Sequence, residues 1–341
     1  MAGLRRAAVA VALSGLLIAS AAACTATKQG SSSGTTKGTF KIGLVTKTDS
    51  NPYFISMRDS AQSEAKAKGL TLIAKAGTED GDNASQVSAI EDMEASGVKA
   101  IMITANDSKA IVPTLQEAQK KGIFVIALDT QTEGNQGVDV TYATDNTQAG
   151  VLQGQYVKKA LGSKKPQIAM LDLEPGVSVG DQRHNGFLKG MGLTDSSPEI
   201  VGRQDTNGDQ AKGQQAMENL LQKDPNINAV YSINEPAGIG GYTAVKKAGK
   251  AGQVVIGSID GGCAGVAAVQ SGELAATVMQ FPGKMAKLGV DAAVDYVHNG
   301  TKPTVPSTGY INTGVQLITD KPLGLDAKDT AWGAQNCWGT K

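Results

Sequence analysis

The 341-residue chain has few of the side chains on which many enzymes and nucleic-acid-binding proteins depend. It contains only two histidines, His184 and His298, so zinc sites and histidine-dependent general-base catalysis are poorly supplied. Basic and acidic residues are balanced at 32 each, which indicates neither nucleic acid nor an anionic membrane surface as a partner. We therefore expect a protein without a metal, without a cofactor and without nucleic acid.

Long apolar runs are equally scarce, and the one near the N-terminus is short. Arg5 and Arg6 precede an apolar stretch over positions 7–19, whereas a bilayer span takes ~20 residues. This pattern predicts a signal peptide over residues 1–23. The ending Ala-Ala-Ala-Cys resembles a bacterial lipoprotein signal with lipidation at Cys24. Ala21 departs from the usual lipoprotein pattern, so plain secretion remains an alternative.

Cysteine is limited to three positions, and the segment after the first is polar. Residues 24–39 are rich in Thr, Ser, Gly and Lys and predict a flexible tether. If Cys24 is lipidated, Cys263 and Cys337 remain as a pair in an exported chain, which favours a disulfide between them. The length that remains is enough for two domains of ~100–200 residues each.

Short β-rich runs alternate with helical stretches along the rest of the chain, and the pattern restarts near residue 167. Such alternation predicts βαβ units, and two successive sets predict two similar α/β lobes, each with a parallel sheet, and a cleft between them. The predicted strands are 42–46, 71–75, 100–104, 123–128, 167–173, 199–203, 229–233 and 254–259. The predicted helices are 52–68, 83–96, 108–121, 180–190, 209–222, 236–248 and 262–271.

The segment Asn51-Pro52-Tyr53-Phe54 follows the first predicted strand and begins the first predicted helix. Ligands bind at the carboxyl edge of open α/β sheets, which is where this loop is expected. Proline suits the first helical position, because its missing N–H has no intrahelical partner there. The two aromatic faces and the Asn51 amide would suit a polyhydroxylated ligand, although an N-capped helix whose aromatics fill the core gives the same sequence.

Further polar side chains come directly after predicted strands in both halves of the chain. Asp129, Asn234 and Asp260 each close a strand, and Arg183 and Gln280 lie just beyond two others. A single Asp after a strand is usually a helix N-cap. Five such groups at one edge can instead bind adjacent hydroxyls bidentately.

Two enzyme-like motifs also occur in the sequence, and neither is complete. Residues 176–180 match the G-x-S-x-G nucleophile elbow, but Glu174 and Pro175 lengthen the turn, and His298 would have to be the base. The run 238–241 lacks the full dinucleotide spacing, because Thr243 stands where Gly or Ala is needed. A serine hydrolase therefore stays a remote alternative.

The polar residues and their motifs resemble the ribose-type solute-binding proteins of bacterial sugar ABC importers. The motifs that carry the resemblance are Asn51-Pro52-Tyr53-Phe54, Val125-Ile126-Ala127-Leu128-Asp129, Arg183-His184-Asn185-Gly186-Phe187, Asn234-Glu235, Ile259-Asp260-Gly261 and Leu274-Ala275-Ala276-Thr277-Val278-Met279-Gln280. The resemblance implies two Rossmann-like lobes joined by three crossovers near Asp145, Gln280 and Gly309. The N-terminal lobe would then comprise 40–144 and 281–309, and the C-terminal lobe 145–280 and 310–341.

The same resemblance implies a ligand set. Tyr53 and Phe54 would stack on the C–H faces of a monosaccharide. Its hydroxyls would be bound by Asn51, Asp129, Arg183, Asn234, Asp260 and Gln280.

Four positions depart from the ribose binders and bear on the ligand. Thr130 replaces an arginine, Thr104 an asparagine, Gly208 an aromatic residue and Lys47 a small polar residue. The segments that look more like the fructose-binding branch are Lys47-Thr48, Leu128-Asp129-Thr130, Gly261-Gly262-Cys263 and the ending at residues 329–339. We therefore expect a fructose-like ketose, with ribose, mannose or a polyol as alternatives. Lys47 would approach Asp129 or a ligand hydroxyl, unless it points to solvent at the cleft rim.

The resemblance also implies partners and a location. The protein would deliver its sugar as a monomer to the transmembrane subunits of an ABC permease. Lipidation would anchor it to the outer face of the cytoplasmic membrane. A sensor that presents its closed form to a receptor is an alternative, whereas sugar-responsive repressors begin with a DNA-binding helix-turn-helix and not with an export signal.

Overall fold

The computed structural model describes residues 38–340, so the predicted signal peptide and Cys24 lie outside the described residues. The strands, in chain order, are β1 Lys41–Thr46, β2 Thr71–Ala76, β3 Ala100–Ile103, β4 Phe124–Leu128, β5 Val140–Ala143, β6 Ile168–Asp172, β7 Ile200–Asp205, β8 Ala229–Ser232, β9 Val255–Asp260, β10 Ala276–Met279, β11 Ile311–Asn312 and β12 Gln316–Ile318. The helices are α1 Pro52–Ala67, α2 Asn83–Ala95, α3 Val112–Lys120, α4 Asn146–Leu161, α5 Ser178–Met191, α6 Gln210–Lys223, α7 Glu235–Lys247, α8 Cys263–Gln270, α9 Pro282–Asn299 and α10 Thr330–Asn336.

The strands form two separate sheets, as the restarting sequence pattern predicts. One sheet has the order β11-β5-β4-β3-β1-β2, and the other has the order β12-β10-β9-β8-β6-β7. Every pairing is parallel except that of β12, which runs antiparallel to β10. Apolar clusters cover both faces of each sheet, because a parallel sheet flanked by helices has no solvent-facing side. The predicted fold class, two α/β lobes with mainly parallel sheets, is confirmed.

The chain passes between the lobes three times. It leaves the first sheet after β5, returns after β10 into α9, and crosses again between β11 and β12. Helix α9 packs on the first sheet, with Met285, Ala286 and Val290 buried in the cluster beneath α1.

The third crossover lies beyond the position predicted from the sequence. Ile311 and Asn312 pair with Tyr142 and Ala143 of the first sheet, so the crossover follows them and not Gly309. A strand of only two residues has too little apolar pattern to be found from the sequence.

Membrane-spanning helices and metal-binding clusters are both absent from the described residues. None of their helices combines the length and the apolar character needed to cross a membrane. Within residues 38–340, no group of three or more His, Cys, Asp or Glu side chains is arranged to hold a metal ion.

Candidate functional site

A small cavity lies between the lobes, where the carboxyl ends of the two sheets face each other. We call it the inner cavity. Because β-strands of one sheet end at a common edge, residues far apart in sequence meet there. Its walls are formed by Lys47, Asn51, Tyr53, Phe54, Asp80, Asp129, Leu173, Arg183, Ile233, Asn234, Asp260 and Gln280.

The start of α1 supplies the aromatic wall. Asn51 caps the helix, because its Oδ1 accepts a hydrogen bond from the Tyr53 N–H (3.0 Å). This cap fixes the direction of the following side chains, and Tyr53 and Phe54 are both buried. The Tyr53 hydroxyl donates to Asp129 Oδ1 (2.9 Å), which joins the start of α1 to the end of β4. Both aromatic residues therefore line the cavity and also belong to the core of the first lobe.

Asp129 is held in a conformation that a non-glycine residue rarely adopts. Its φ of 65° lies in the left-handed region, where strain costs about 1–3 kcal/mol and is concentrated at ligand-binding positions. Thr130 Oγ1 donates to its Oδ2 (3.0 Å), so each carboxylate oxygen has a neutral donor. Both remaining lone pairs are free to face the cavity that this carboxylate lines.

Lys47 is buried beside the cavity, and its partner is Asp80. Lys47 Nζ lies 3.3 Å from Asp80 Oδ1, and only 3% and 6% of the two side chains are exposed. The alternative of a solvent-facing lysine at the rim was wrong, whereas an approach of Lys47 to Asp129 or to a ligand hydroxyl stays a prediction, because both side chains line this cavity. Lys47 follows β1 and Asp80 lies in the loop after the neighbouring strand β2. The two side chains therefore emerge at the same edge of the sheet and form an ion pair. Burial raises the pKa of Asp80, and the Lys47 charge opposes that rise.

The second lobe contributes a fixed arginine. Arg183 is buried in α5, where its Nε donates to Asn146 Oδ1 (2.8 Å) and its Nη1 to the Ile233 carbonyl (2.9 Å). A guanidinium has five N–H donors, and these two bonds leave the others available to a ligand in the cavity. Because Asn146 begins α4 directly after a crossover, the arginine is anchored at the hinge side of the cleft.

Asn234, Asp260 and Gln280 line the same wall of the second lobe. Gln280 Nε2 donates to Asp260 Oδ1 (2.8 Å), and the Glu235 N–H approaches Asp260 Oδ2 (3.3 Å). Asn234 caps α7 through its Oδ1 and donates to the Gly208 carbonyl (2.9 Å). A Cβ at residue 208 would lie 2.7 Å from Asn234 Nδ2 and would clash with it. Glycine at this position therefore leaves room for the Asn234 amide.

Glu235 is a buried carboxylate that the sequence interpretation passed over as part of a motif. Its oxygens accept from the Gly261 N–H (2.8 Å), the Gly262 N–H (3.0 Å) and the Thr277 hydroxyl (2.6 Å). A Cβ at Gly265 would lie 1.7 Å from the Glu235 carboxyl carbon, so α8 can approach only because glycine stands there. Glu235 thus fixes the loop that follows Asp260.

Two predicted ligand residues do not reach the cavity wall. Thr104 is fully buried, and its hydroxyl faces Met57 Sδ (3.4 Å). Thr130 is equally buried and contacts Asp129, as described above.

Asn106, which the sequence interpretation did not single out, is also buried. Its Nδ2 donates to the Glu79 and Asp82 carbonyls and so fixes the loop that carries Asp80.

The lobes touch along the rim of the cleft. The Ser178 hydroxyl donates to the Gln131 carbonyl (2.9 Å), and the Ser108 N–H donates to the Gly176 carbonyl (2.9 Å). On the other side, Asn207 Nδ2 donates to the Asp80 carbonyl (2.9 Å). Hydrogen bonds between the lobes therefore flank the inner cavity on two sides.

These rim contacts also account for the G-x-S-x-G motif. Ser178 is engaged with the other lobe, whereas His298 stands near the C-terminal end of α9 with its ring against Phe40 (5.3 Å between centroids). Within the described residues, the Ser178–His298 pair that a hydrolase needs is not formed.

The buried carboxyl groups of Asp260 and Glu235 give a testable pH dependence. Burial raises the pKa of Asp260 to about 6 against the opposing Arg183 charge, and burial with the Asp260 charge raises the pKa of Glu235 to about 8. In the unfolded chain the two carboxyl groups lose their protons near the ordinary pKa values of 3.8 and 4.5. The folded chain holds these protons to higher pH, so the free energy of unfolding falls as the pH rises from about 4 to about 8. We expect the ligand-free protein to melt at a lower temperature at pH 8 than at pH 5, and Asp260→Asn to reduce this difference. A melting temperature that rises over this range would contradict the assignment.

The fold and this site define a two-lobed α/β binding protein. The sequence model of the periplasmic binding protein domain matches residues 42–302, so the chain belongs to that family. The chain is 32% identical to the ribose import binding protein of Bacillus subtilis over 262 residues, which are 77% of this chain and 83% of that protein. It is 30% identical to the D-allose-binding periplasmic protein of Escherichia coli, over 76% of this chain and 85% of that protein.

Solved structures agree with the sequence comparison. An ABC transporter periplasmic solute-binding protein from Actinobacillus succinogenes, with bound D-allose, superposes with a TM-score of 0.74 at 31% identity. The match covers 83% of this chain and 98% of that one. By their names, these relatives are sugar-import, sugar-binding and solute-binding proteins.

Proposed function

We propose that this protein captures a monosaccharide in the inner cavity and delivers it to the transmembrane subunits of an ABC importer. The observation that carries the proposal is the set of buried charged and amide groups that both lobes direct at one small cavity. Each buried sugar hydroxyl without a partner would cost about 1–3 kcal/mol, and these groups supply such partners. Relatives that bind ribose and allose support the same ligand class.

The ligand we favour is a fructose-like ketose. Thr130 and Lys47 replace the residues expected for ribose, and the buried Lys47–Asp80 ion pair places two polar groups of opposite charge in the wall of the first lobe. Ribose, allose, mannose and a polyol are the competitors. The protein acts as a monomer and encloses its sugar by closure of the two lobes.

A panel of sugars tests this function. We expect fructose, or one of its competitors, to raise the melting temperature by about 5 °C or more when present at a hundredfold excess over its Kd. Sucrose is the matched control, because the proposed ligand is a monosaccharide and a disaccharide should give no shift. If none of the monosaccharides or polyols shifts the melting temperature, the proposed function is wrong.

We also propose export and lipid anchoring at Cys24, on the sequence pattern alone. Cys24→Ser should release the protein into the medium or leave the precursor uncut. Fractionation followed by mass spectrometry distinguishes these outcomes from a variant that stays membrane-bound at its mature mass, which would refute the anchor.

A further inference from the structure

The C-terminal segment is fixed to the second lobe next to the inner cavity. Helix α10 packs against α8, and Cys337, the residue after α10, forms a disulfide with Cys263 at the start of α8. The Cys263 N–H also donates to the Trp338 carbonyl (2.9 Å). The backbone of Trp338 is therefore held at the N-terminal end of α8 by one covalent and one hydrogen bond.

From this position the Trp338 indole contacts residues of both lobes and of a crossover. Its Nε1 donates to the Asp260 carbonyl (3.2 Å) and the Gln280 carbonyl (3.0 Å). Its ring meets Tyr53 edge to face, with 5.4 Å between the centroids and 75° between the planes. Tyr53, Asp260 and Gln280 all line the inner cavity.

The loop after Asp260 is thereby held from two sides. Glu235 binds the N–H groups of Gly261 and Gly262, as described above. On the other side the indole packs so closely that a Cβ at Gly262 would lie 3.2 Å from two ring carbons. An indole is rigid and has only two side-chain torsions, so it fixes its neighbours at a small cost in entropy.

We propose that Trp338 is a positioning residue of the ligand site, and that the Cys263–Cys337 disulfide keeps it in place. This inference rests on the proposed function and extends it. The indole fixes the positions of the Asp260 and Gln280 backbones at the ends of β9 and β10. It also fixes the orientation of the Tyr53 ring. A segment that lies outside both sheets is thus part of the site.

Affinity measurements separate this role from ordinary packing. Trp332 is the matched control, because it lies on the same segment but packs on the cluster of Val266, Met279 and Ile318. By calorimetry with the best sugar of the panel, Trp338→Phe should weaken binding roughly five- to tenfold through the lost N–H donor, and Trp338→Ala about thirtyfold or more. Trp332→Phe should stay within twofold. An undiminished affinity in Trp338→Phe, or an equal loss in Trp332→Phe, would overturn the proposal.

Fluorescence provides a second test that needs no sugar. Trp332 and Trp338 are the only two tryptophans of the chain, so Trp332→Phe leaves Trp338 as the single emitter. Adding Cys263→Ser and Cys337→Ser should at least double the quenching of that emission by acrylamide, because the freed segment exposes the indole. Unchanged quenching would refute the role of the disulfide. If no sugar of the panel binds the wild type, the proposed function fails, while this quenching result still decides whether the disulfide holds Trp338.

Discussion

Asp129→Ala should weaken sugar binding by at least about a hundredfold. A carboxylate that accepts two ligand hydroxyls makes two hydrogen bonds to a charged group, each worth about 1.5–3 kcal/mol. The substitution also removes the Asp129 acceptor of the Tyr53 hydroxyl and leaves this buried group with the weak acceptor Met285 Sδ (3.4 Å). The unfolding free energy should fall less than the binding free energy, because alanine removes no core packing of comparable size.

The comparison with Asp59→Ala isolates this effect. Asp59 lies on α1 of the same lobe, and 64% of its side chain is exposed beside Arg58. Calorimetry should find its affinity equal to that of the wild type. An Asp129→Ala protein that melts normally and binds within fivefold of the wild type would remove Asp129 from the ligand set.

Lys47→Met should lower the free energy of unfolding at pH 8 by about 3–5 kcal/mol. The substitution leaves Asp80 buried without its cation, which is the costly way to break a buried ion pair. Asp80 can escape by taking up a proton, and its pKa is already raised by burial. The deficit of the variant should therefore shrink as the pH falls toward 5, because a raised carboxyl pKa favours the folded state only where the group is protonated.

Lys75→Met and a double variant provide the controls. Lys75 pairs with Asp92, but 37% and 66% of these side chains are exposed, so its loss should cost less than about 1 kcal/mol. Lys47→Met combined with Asp80→Asn should recover much of the stability. Denaturant unfolding that finds Lys47→Met and Lys75→Met equally stable would show that the buried pair contributes little.

Much of the fold could be predicted from the sequence, because hydrophobic periodicity reports burial directly. Strand 42–46 was placed within one residue, and helix 83–96 was recovered to within one residue at its end. The sequence did not predict strand β11, because this strand has only two residues and is defined by its pairing with β5. Its place depends on the tertiary structure, which local pattern does not contain.

The sequence predicted the site residues that directly follow a strand. It missed those whose position depends on the path of a loop. Asp129 and Asp260 close β4 and β9, so the common edge of a parallel sheet brings them to the cavity. Asp80 lies four residues beyond the end of β2 and reaches Lys47 only through the path of its loop. Trp338 reaches the site through a disulfide and a helix outside the sheets. The cysteine count predicted the disulfide, but composition and spacing give no signal for the contact of Lys47 with Asp80 or of Trp338 with Gln280.

Small-angle X-ray scattering with and without the best sugar tests capture by closure most directly. Because contacts such as that from Ser178 to Gln131 hold the lobes together at the rim of the cleft, we expect the sugar to enter while the lobes are apart. We predict a smaller radius of gyration with sugar than without it, and chemically unchanged sugar recovered afterwards. Identical scattering curves at saturating sugar would contradict capture by closure of the two lobes.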